Sequence, residues 1–349
     1  RKSNGDMIPI SYDLEKQEVR DALVPYNDFV RHFKNKTIEG TIKRGYVGHK
    51  RVDKNGNDIT LYLDVSDRNL LQWIHDHLEV IAHLDAERLT WLIGKMEKDY
   101  GVTKHGNNRK RKILYHLFVD CGYDGGAFPK DALIKATGLD TCPYCNSEHV
   151  GVVPLRKIEN GKLVIKNVKG HLDHFYCKGL YPYLAISRNN LVPCCSTCNG
   201  YPNKHTVDAL VTGLVSPYVE KSFDTLLFRL SIPCDLYGTK IEEKQCDIQF
   251  DVSQNRNYNS NIAVFGLSDL YNARHKYVAL RVYNAFLFTN NPSYLRSIEQ
   301  QTQNLPYQQN ATYEKLKETW GVVADKNKYR KERFSKLATD IWQQLEAGL

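Results

Sequence analysis

A chain of 349 residues that is 42% hydrophobic and 25% charged can bury a sizeable core, which excludes a mainly disordered protein. Its length allows two ordinary domains, or one with large elaborations. The formal charge of +8 is mildly basic: it leans towards a nucleic-acid partner but fits a merely soluble protein nearly as well. No apolar run approaches the ~20 residues of a membrane span. The opening stretch RKSNGDMIPISYD has no signal-peptide core, so a cytoplasmic protein with no membrane partner is expected. Nine cysteines, an odd number, argue against a full disulfide framework.

Residues 1–40 carry no clear pattern. In 41–64, alternation at Ile59, Leu61 and Leu63 around Asn55-Gly56 predicts a β-hairpin. In 67–100, Leu71, Ile74, Leu78 and Ile81 recur at helical spacing and predict one or two helices. The basic run KHGNNRKRK (104–112) leads into an apolar helix and reads equally as a solvated helix start or a phosphate-contacting patch. Two strand-like runs flank Asn160-Gly161 within 152–168, a second hairpin signal, and the second run feeds GHLDHF. A short helix is expected in NGYPNKHTVDALVTGL after Cys198. Alternation at Phe228, Leu230 and Ile232, and again at Cys246, Ile248, Phe250 and Val252, predicts two more strands. An amphipathic helix follows from Leu267, and a basic helix closes the chain around KNKYRKERFSKLATDIWQQL.

The chemistry concentrates between 142 and 205. CPYC places Cys142 and Cys145 at knuckle spacing, and CSTC does the same for Cys195 and Cys198. Two such turns complete a closed tetrahedral zinc site, which holds structure and leaves no open position for chemistry. Cys194 is passed over because only Cys195 has the right spacing to Cys198. Cys121, Cys177, Cys234 and Cys246 are expected to be ordinary small hydrophobes.

Between the pairs lie HLDHF and NNLVP. Knuckle CPYCN, then LDHF, then NLVP, then knuckle CSTCN: this ordered set resembles the HNH branch of the ββα-metal (His-Me finger) endonucleases over about 142–205. The resemblance implies an α+β fold with a zinc-stapled ββα core and mixed, largely helical elaborations on either side. The segments are 1–140 for target or partner binding, 141–212 for the nuclease core and 213–349 for C-terminal strands and helices. It implies His174 as the general base that deprotonates water. Asp173 and Asn199 become ligands of a catalytic Mg²⁺ or Mn²⁺, and Asn190 steadies the loop and the histidine. These roles suit the residue types, since histidine is a good base near neutrality and a hard cation wants oxygen ligands.

His171 has no family role and reads as a strand-end residue exposed to solvent. Lys204 and His205 read equally as phosphate contacts or a solvated helix face. The chain departs from the family in carrying Cys177 before Lys178, where many relatives have proline, and in the longer spacing from Asn199 to its lysine. The run DHF…YPYLAISRNNLVP looks like stand-alone HNH proteins of bacterial anti-phage loci, including nuclease partners of ATPases in Septu-type and retron-linked systems. Restriction and CRISPR-linked roles are the neighbouring possibilities. A nucleic-acid partner, DNA before RNA, and an ATPase or other defence subunit are therefore expected. The rival class is a non-catalytic zinc-ribbon module that binds nucleic acid or protein, which would not need Asp173, His174, Asn190 and Asn199 together.

Overall fold

The computed structural model describes residues 8–50, 54–55, 60–159, 162–219, 227–252, 258–291, 293, 297, 313 and 316–348. Its N-terminal part is helical: α1 (Gln17–His32), α2 (Glu39–Arg44), α3 (Val65–His83) and α4 (Leu89–Tyr100). Asp64 starts α3 with a capping box. Its side chain accepts from the Asp67 amide at 2.7 Å, and the Asp67 carboxylate accepts from the Asp64 amide at 3.2 Å. The periodic residues Leu71, Ile74, Leu78 and Ile81 are buried on one face of α3, as their spacing requires. Of the expected hairpin before α3, the described residues show β1 (Tyr46–Val47) paired with β2 (Leu61–Tyr62), while Gly56 of its turn and Ile59 lie outside them.

The basic run 104–112 caps and begins α5 (Arg109–Tyr115), and much of its charge is used within the protein. Arg109 bonds the Asp67 carboxylate at 3.0 and 3.1 Å, Lys110 donates to the Tyr100 carbonyl, and Lys104 pairs with Asp208 at 2.8 Å. Arg111 donates to the carbonyls of Lys104 and Gly106, closing the turn before the helix. Lys112 remains exposed.

After α6 (Lys130–Thr137), the second predicted hairpin forms from β3 (Val153–Glu159) and β4 (Lys162–Val168) in full register, with its Asn160-Gly161 turn outside the described residues. β3 is exposed along its whole length, Ile158 at 78%. The chain then enters β5 (His171–His174), which pairs antiparallel with β6 (Leu191–Cys194), and β6 runs into the one-turn helix α7 (Ser196–Asn199). The short helix expected in NGYPNKHTVDALVTGL forms in its second half, as α8 (Ala209–Thr212) capped by Asp208.

The C-terminal strands appear as β7 (Phe228–Ser231) and β8 (Asp247–Phe250), paired antiparallel. After α9 (Asn259–Val264), the helix expected from Leu267 splits at His275 into α10 (Leu267–Arg274) and α11 (Lys276–Thr289). The closing basic helix is also divided: a 3₁₀ turn over Lys326–Arg330, then α12 (Ser335–Glu346) after Phe334, whose φ of 60° breaks the helical path. Lys336 is buried against Asp340 at 2.5 Å, and Asp340 also accepts from the amides of Leu227 and Phe228, tying β7 to α12.

The described strands form four separate two-stranded antiparallel sheets among helices, a mixed α and β architecture. One contiguous apolar core runs from Ile8 to Leu345 through all three sequence segments. No helix among the described residues is long and apolar enough to cross a membrane. Of the four cysteines expected to be small hydrophobes, Cys177 and Cys246 are buried. Cys121 and Cys234 are exposed, because a lone cysteine carries no periodicity to say which way it faces.

Replacing Arg109 with alanine is expected to destabilise the fold by about 1–3 kcal/mol, since it strips a buried carboxylate of its charged partner. Asp67 is only 1% exposed, and Arg109 is the cation on its Oδ2, while its Oδ1 has no hydrogen-bond partner among the described residues. Urea titrations of the two proteins measure this. A midpoint equal to the wild type's would show that Arg109 is a solvated charge after all.

Candidate functional site

Cys142 and Cys145 sit in a tight turn after α6, and Cys195 and Cys198 bracket the first turn of α7. All four sulfurs lie within 4.8 Å of one another and are buried. A tetrahedron with Zn–S bonds of ~2.3 Å places its sulfurs ~3.8 Å apart. Cys145 and Cys195 are separated by 3.8 Å. Four thiols this close conflict when they ionise alone. Burial pushes Cys142 up, the neighbouring sulfurs push Cys198 up, and hydrogen bonds from the same neighbours pull Cys145 down. A divalent ion removes the conflict by taking them as thiolates, so the group fits a metal such as zinc. Ser147 donates to the Cys145 sulfur at 3.1 Å and the Cys198 amide donates to Cys195 at 3.4 Å, which directs the sulfurs inward.

The knuckle is braced from the far end of the chain. The Asn146 side chain donates to the carbonyls of Tyr329 and Glu332, and its Oδ1 accepts from the Lys336 amide. Arg333 donates to the Ser147 carbonyl, and Tyr271 donates to the carbonyl of Cys145. Much of the basic segment 326–336 is thus a clasp around the first cysteine pair, although Lys331 also reaches Asp140 at the surface.

β5 and β6 present the next residues. Gly170, just before β5, allows the chain to pass close to its neighbours: a Cβ there would meet the Cys194 carbonyl at 2.9 Å and Val150 at 2.7 Å. Asp173 is buried, accepts from the Tyr144 hydroxyl at 2.8 Å and lies 3.7 Å from the Lys204 ammonium. Burial pushes its carboxyl above the ordinary range, against the opposing pull of Lys204 and Tyr144. Tyr144 stands between the two cysteines of the first knuckle, so one hydroxyl joins the thiol cluster to the carboxylate.

His174 packs its ring edge-on to Tyr123 at 4.3 Å, and its Nε2 lies 3.1 Å from the Ala185 carbonyl. A carbonyl only accepts, so Nε2 carries the proton and Nδ1 keeps its lone pair. Burial, with Lys178 and Lys204 adding positive charge nearby, pushes the imidazole down to about 3, so it is neutral at physiological pH. Asn190 fixes the geometry around it. Its side chain accepts from the Tyr176 amide at 2.7 Å and donates to the carbonyls of Tyr176 and Leu184 at 3.1 Å each. These bonds lock the residues after His174 to the loop that supplies Ala185.

That loop is itself docked on the C-terminal end of α3. Helix ends leave carbonyls without intrahelical partners. Here Ser187 donates to Ile81 at 2.9 Å, Asn189 to Leu84 at 2.9 Å and Tyr26 to Ala82 at 2.8 Å. The helical N-terminal part therefore sets the position of the asparagine loop.

Asp173, His174 and Asn199 line a single cavity of about 600 Å³, together with Lys130, Lys169 and Lys178. The lysines come from α6, from the chain before β5 and from the turn after it. Lys130 and Lys178 lie 4.1 and 5.0 Å from the centre of the Tyr123 ring. Burial, with the charges of Lys178 and Lys169 adding to it, pushes the Lys130 ammonium down despite Asp124. Lys178 and Lys130 pair with Asp124 at 2.6 and 4.0 Å, and Lys169 pairs with Asp131. Asp173 and Asn199 both line this cavity and bring a carboxylate and an amide to it, although the carboxylate is buried between Tyr144 and Lys204. That donor set suits a hard divalent ion that keeps several waters.

His171 is exposed, as expected, and lines the cavity together with His205. Lys204 differs from its expectation. It is 0% exposed, donates to the carbonyls of His174 and Val207 at 3.3 and 3.2 Å, and neither faces solvent nor is open to phosphate. The polar stretch NGYPNKH hides this, because a buried lysine is chosen by the carboxylate that it meets in the fold. Tyr123, Tyr144, Lys130 and Lys169 had no signal of any kind in the sequence. No family model matches the chain, and no curated protein or solved structure matches it.

Replacing Cys142 or Cys198 with serine is expected to leave less than one zinc per chain and to lower both solubility and melting temperature. Metal analysis and thermal unfolding measure this. Full zinc content with normal melting in either variant would overturn the four-cysteine assignment.

Proposed function

We propose that this protein is a metal-dependent endonuclease of the HNH kind, hydrolysing phosphodiester bonds of nucleic acid, with DNA as the expected substrate. The observation that carries the reading is the convergence of Asp173, His174 and Asn199 on one lysine-lined cavity. The Nε2 proton of His174 is committed to a backbone carbonyl, which adds support. In this reading Lys130, Lys169 and Lys178 draw the phosphate in. The neutral His174 takes a proton from water at Nδ1 as the water attacks phosphorus. The negative charge of the bound phosphate raises the basicity of that imidazole where it is needed. Asp173 and Asn199 would hold a divalent ion such as Mg²⁺ or Mn²⁺, which supplies stabilisation of charge on the phosphate and the leaving oxygen.

The zinc knuckles are structural in this scheme. Lys204 balances the buried Asp173 and holds the carbonyl of His174, so it acts on the site through its neighbours. The likeness of the 173–193 run to anti-phage HNH proteins supports a cytoplasmic role in bacterial defence or restriction, alongside an ATPase or another defence subunit.

The test is plasmid cleavage across a Mg²⁺ and Mn²⁺ titration, with zinc content measured in parallel. His174→Ala should fold, keep zinc and bind nucleic acid while cleavage falls by about a hundredfold or more. Asp173→Ala should also lose cleavage, with partial recovery in excess divalent ion, whereas the histidine variant gains nothing from it. Wild-type cleavage by His174→Ala would defeat the reading and leave a zinc-ribbon binding module.

A further inference from the structure

A second cavity, of about 700 Å³, opens on the other side of Tyr123, Lys130 and Lys169, which line both spaces. Its remaining wall has a different chemistry. Pro25, Phe128 and Pro129 give apolar surface, and Asp21, Asp124 and Asp131 supply carboxylates. Phe128 is held in place by edge contacts with Phe29 at 5.1 Å and Tyr26 at 6.2 Å. Carboxylates repel phosphate, but they accept hydrogen bonds from the amino groups of bases. The volume falls in the ~300–1,000 Å³ range of small-ligand sites.

We propose that this second cavity receives a base of the same nucleic-acid strand whose phosphodiester lies in the first, with Lys130 and Lys169 at the phosphate between them. The proposal rests on the nuclease reading and deepens it. The pairings of the shared wall link the two events. Lys169 is held by Asp131, and Lys130 and Lys178 by Asp124. A phosphate that takes these ammonium groups releases the two carboxylates towards the second cavity, where base donors replace the lost partners. Bases with an exocyclic amine, such as cytosine, are therefore preferred over thymine. A base enclosed there has left a duplex stack, so single-stranded polymer is the preferred form.

The experiment uses the full-length, zinc-loaded protein and two cavity-filling variants. These are Ala22→Trp, from α1, and Ala132→Trp, from α6, both at the wall of the second cavity. Hydrolysis of bis(p-nitrophenyl) phosphate with Mn²⁺ reads the first cavity alone, because this small diester has no base to place. Fluorescence anisotropy with labelled oligo-dC and oligo-dT, in Ca²⁺ to prevent cleavage, reads both. Wild type should bind oligo-dC more tightly than oligo-dT. Each filled variant should hydrolyse the small diester at the wild-type rate and lose about tenfold in oligo-dC affinity, as removal of one stacked base does.

Unchanged oligo-dC binding by both filled variants, with normal melting, would overturn the proposal. So would parallel loss of small-diester hydrolysis, which would make the second cavity a mere support of the first. Wild type that hydrolyses the small diester but binds no oligo-dC would also overturn it and leave the cavity to a protein partner. Wild type that hydrolyses neither the small diester nor nucleic acid would defeat the nuclease reading itself, and the base site with it.

Discussion

The arrangement of this protein depends on four sulfurs within 4.8 Å of one another. They come from two turns separated by the exposed hairpin, by β5, by the asparagine loop and by β6. Bringing the turns together closes a long loop, and the entropic cost of closure grows only slowly with loop length. A metal ion held by the sulfurs offsets that cost at one point. The residues of the cavity wall then need only local bonds to find their places. Because a preformed site is rare in an unfolded chain, the free energy of binding such an ion is folding free energy.

A second constraint enters from the opposite side. The C-terminal end of α3 has carbonyls to satisfy, and the loop carrying Asn190 satisfies them with Ser187 and Asn189. The same loop supplies the Ala185 carbonyl that selects the tautomer of His174. The helical N-terminal part is thus continuous with the cavity wall, and the shared apolar core agrees with this. The C-terminal clasp on Asn146 does the same for the first knuckle. Neither flanking segment hangs from the centre as an independent appendage.

Much of the centre was legible in the sequence because it is local. Cys-x-x-Cys spacing, the hairpin runs and the helical period of α3 are each set by residues a few positions apart, and the structure shows them where the spacing places them. What was not legible depends on charge partners chosen in three dimensions. Arg109 and Lys336 read as parts of basic patches, yet each meets a buried aspartate. Lys204 read as solvated or phosphate-bound, yet it is enclosed beside Asp173. The breaks at His275 and Phe334 were hidden for a related reason: an amphipathic period continues through a kink when both halves face one core. The cavity lysines come from three separate stretches, and no window of sequence contains them together.

The β3–β4 hairpin carries a consequence of its own. It lies inside the ring closed by the cysteines, and its first strand contributes nothing to the core. Exposed chain of this sort is where proteases cut first. A cut within β3 would not release a fragment, because the pieces on either side each retain one cysteine pair and share the same apolar interior. With an ion in place, the nicked protein would sediment as one particle and separate into two chains only on denaturation. The thiol cluster is in this sense a non-covalent rivet, and the hairpin is a length of chain that can be cut without the folded protein coming apart.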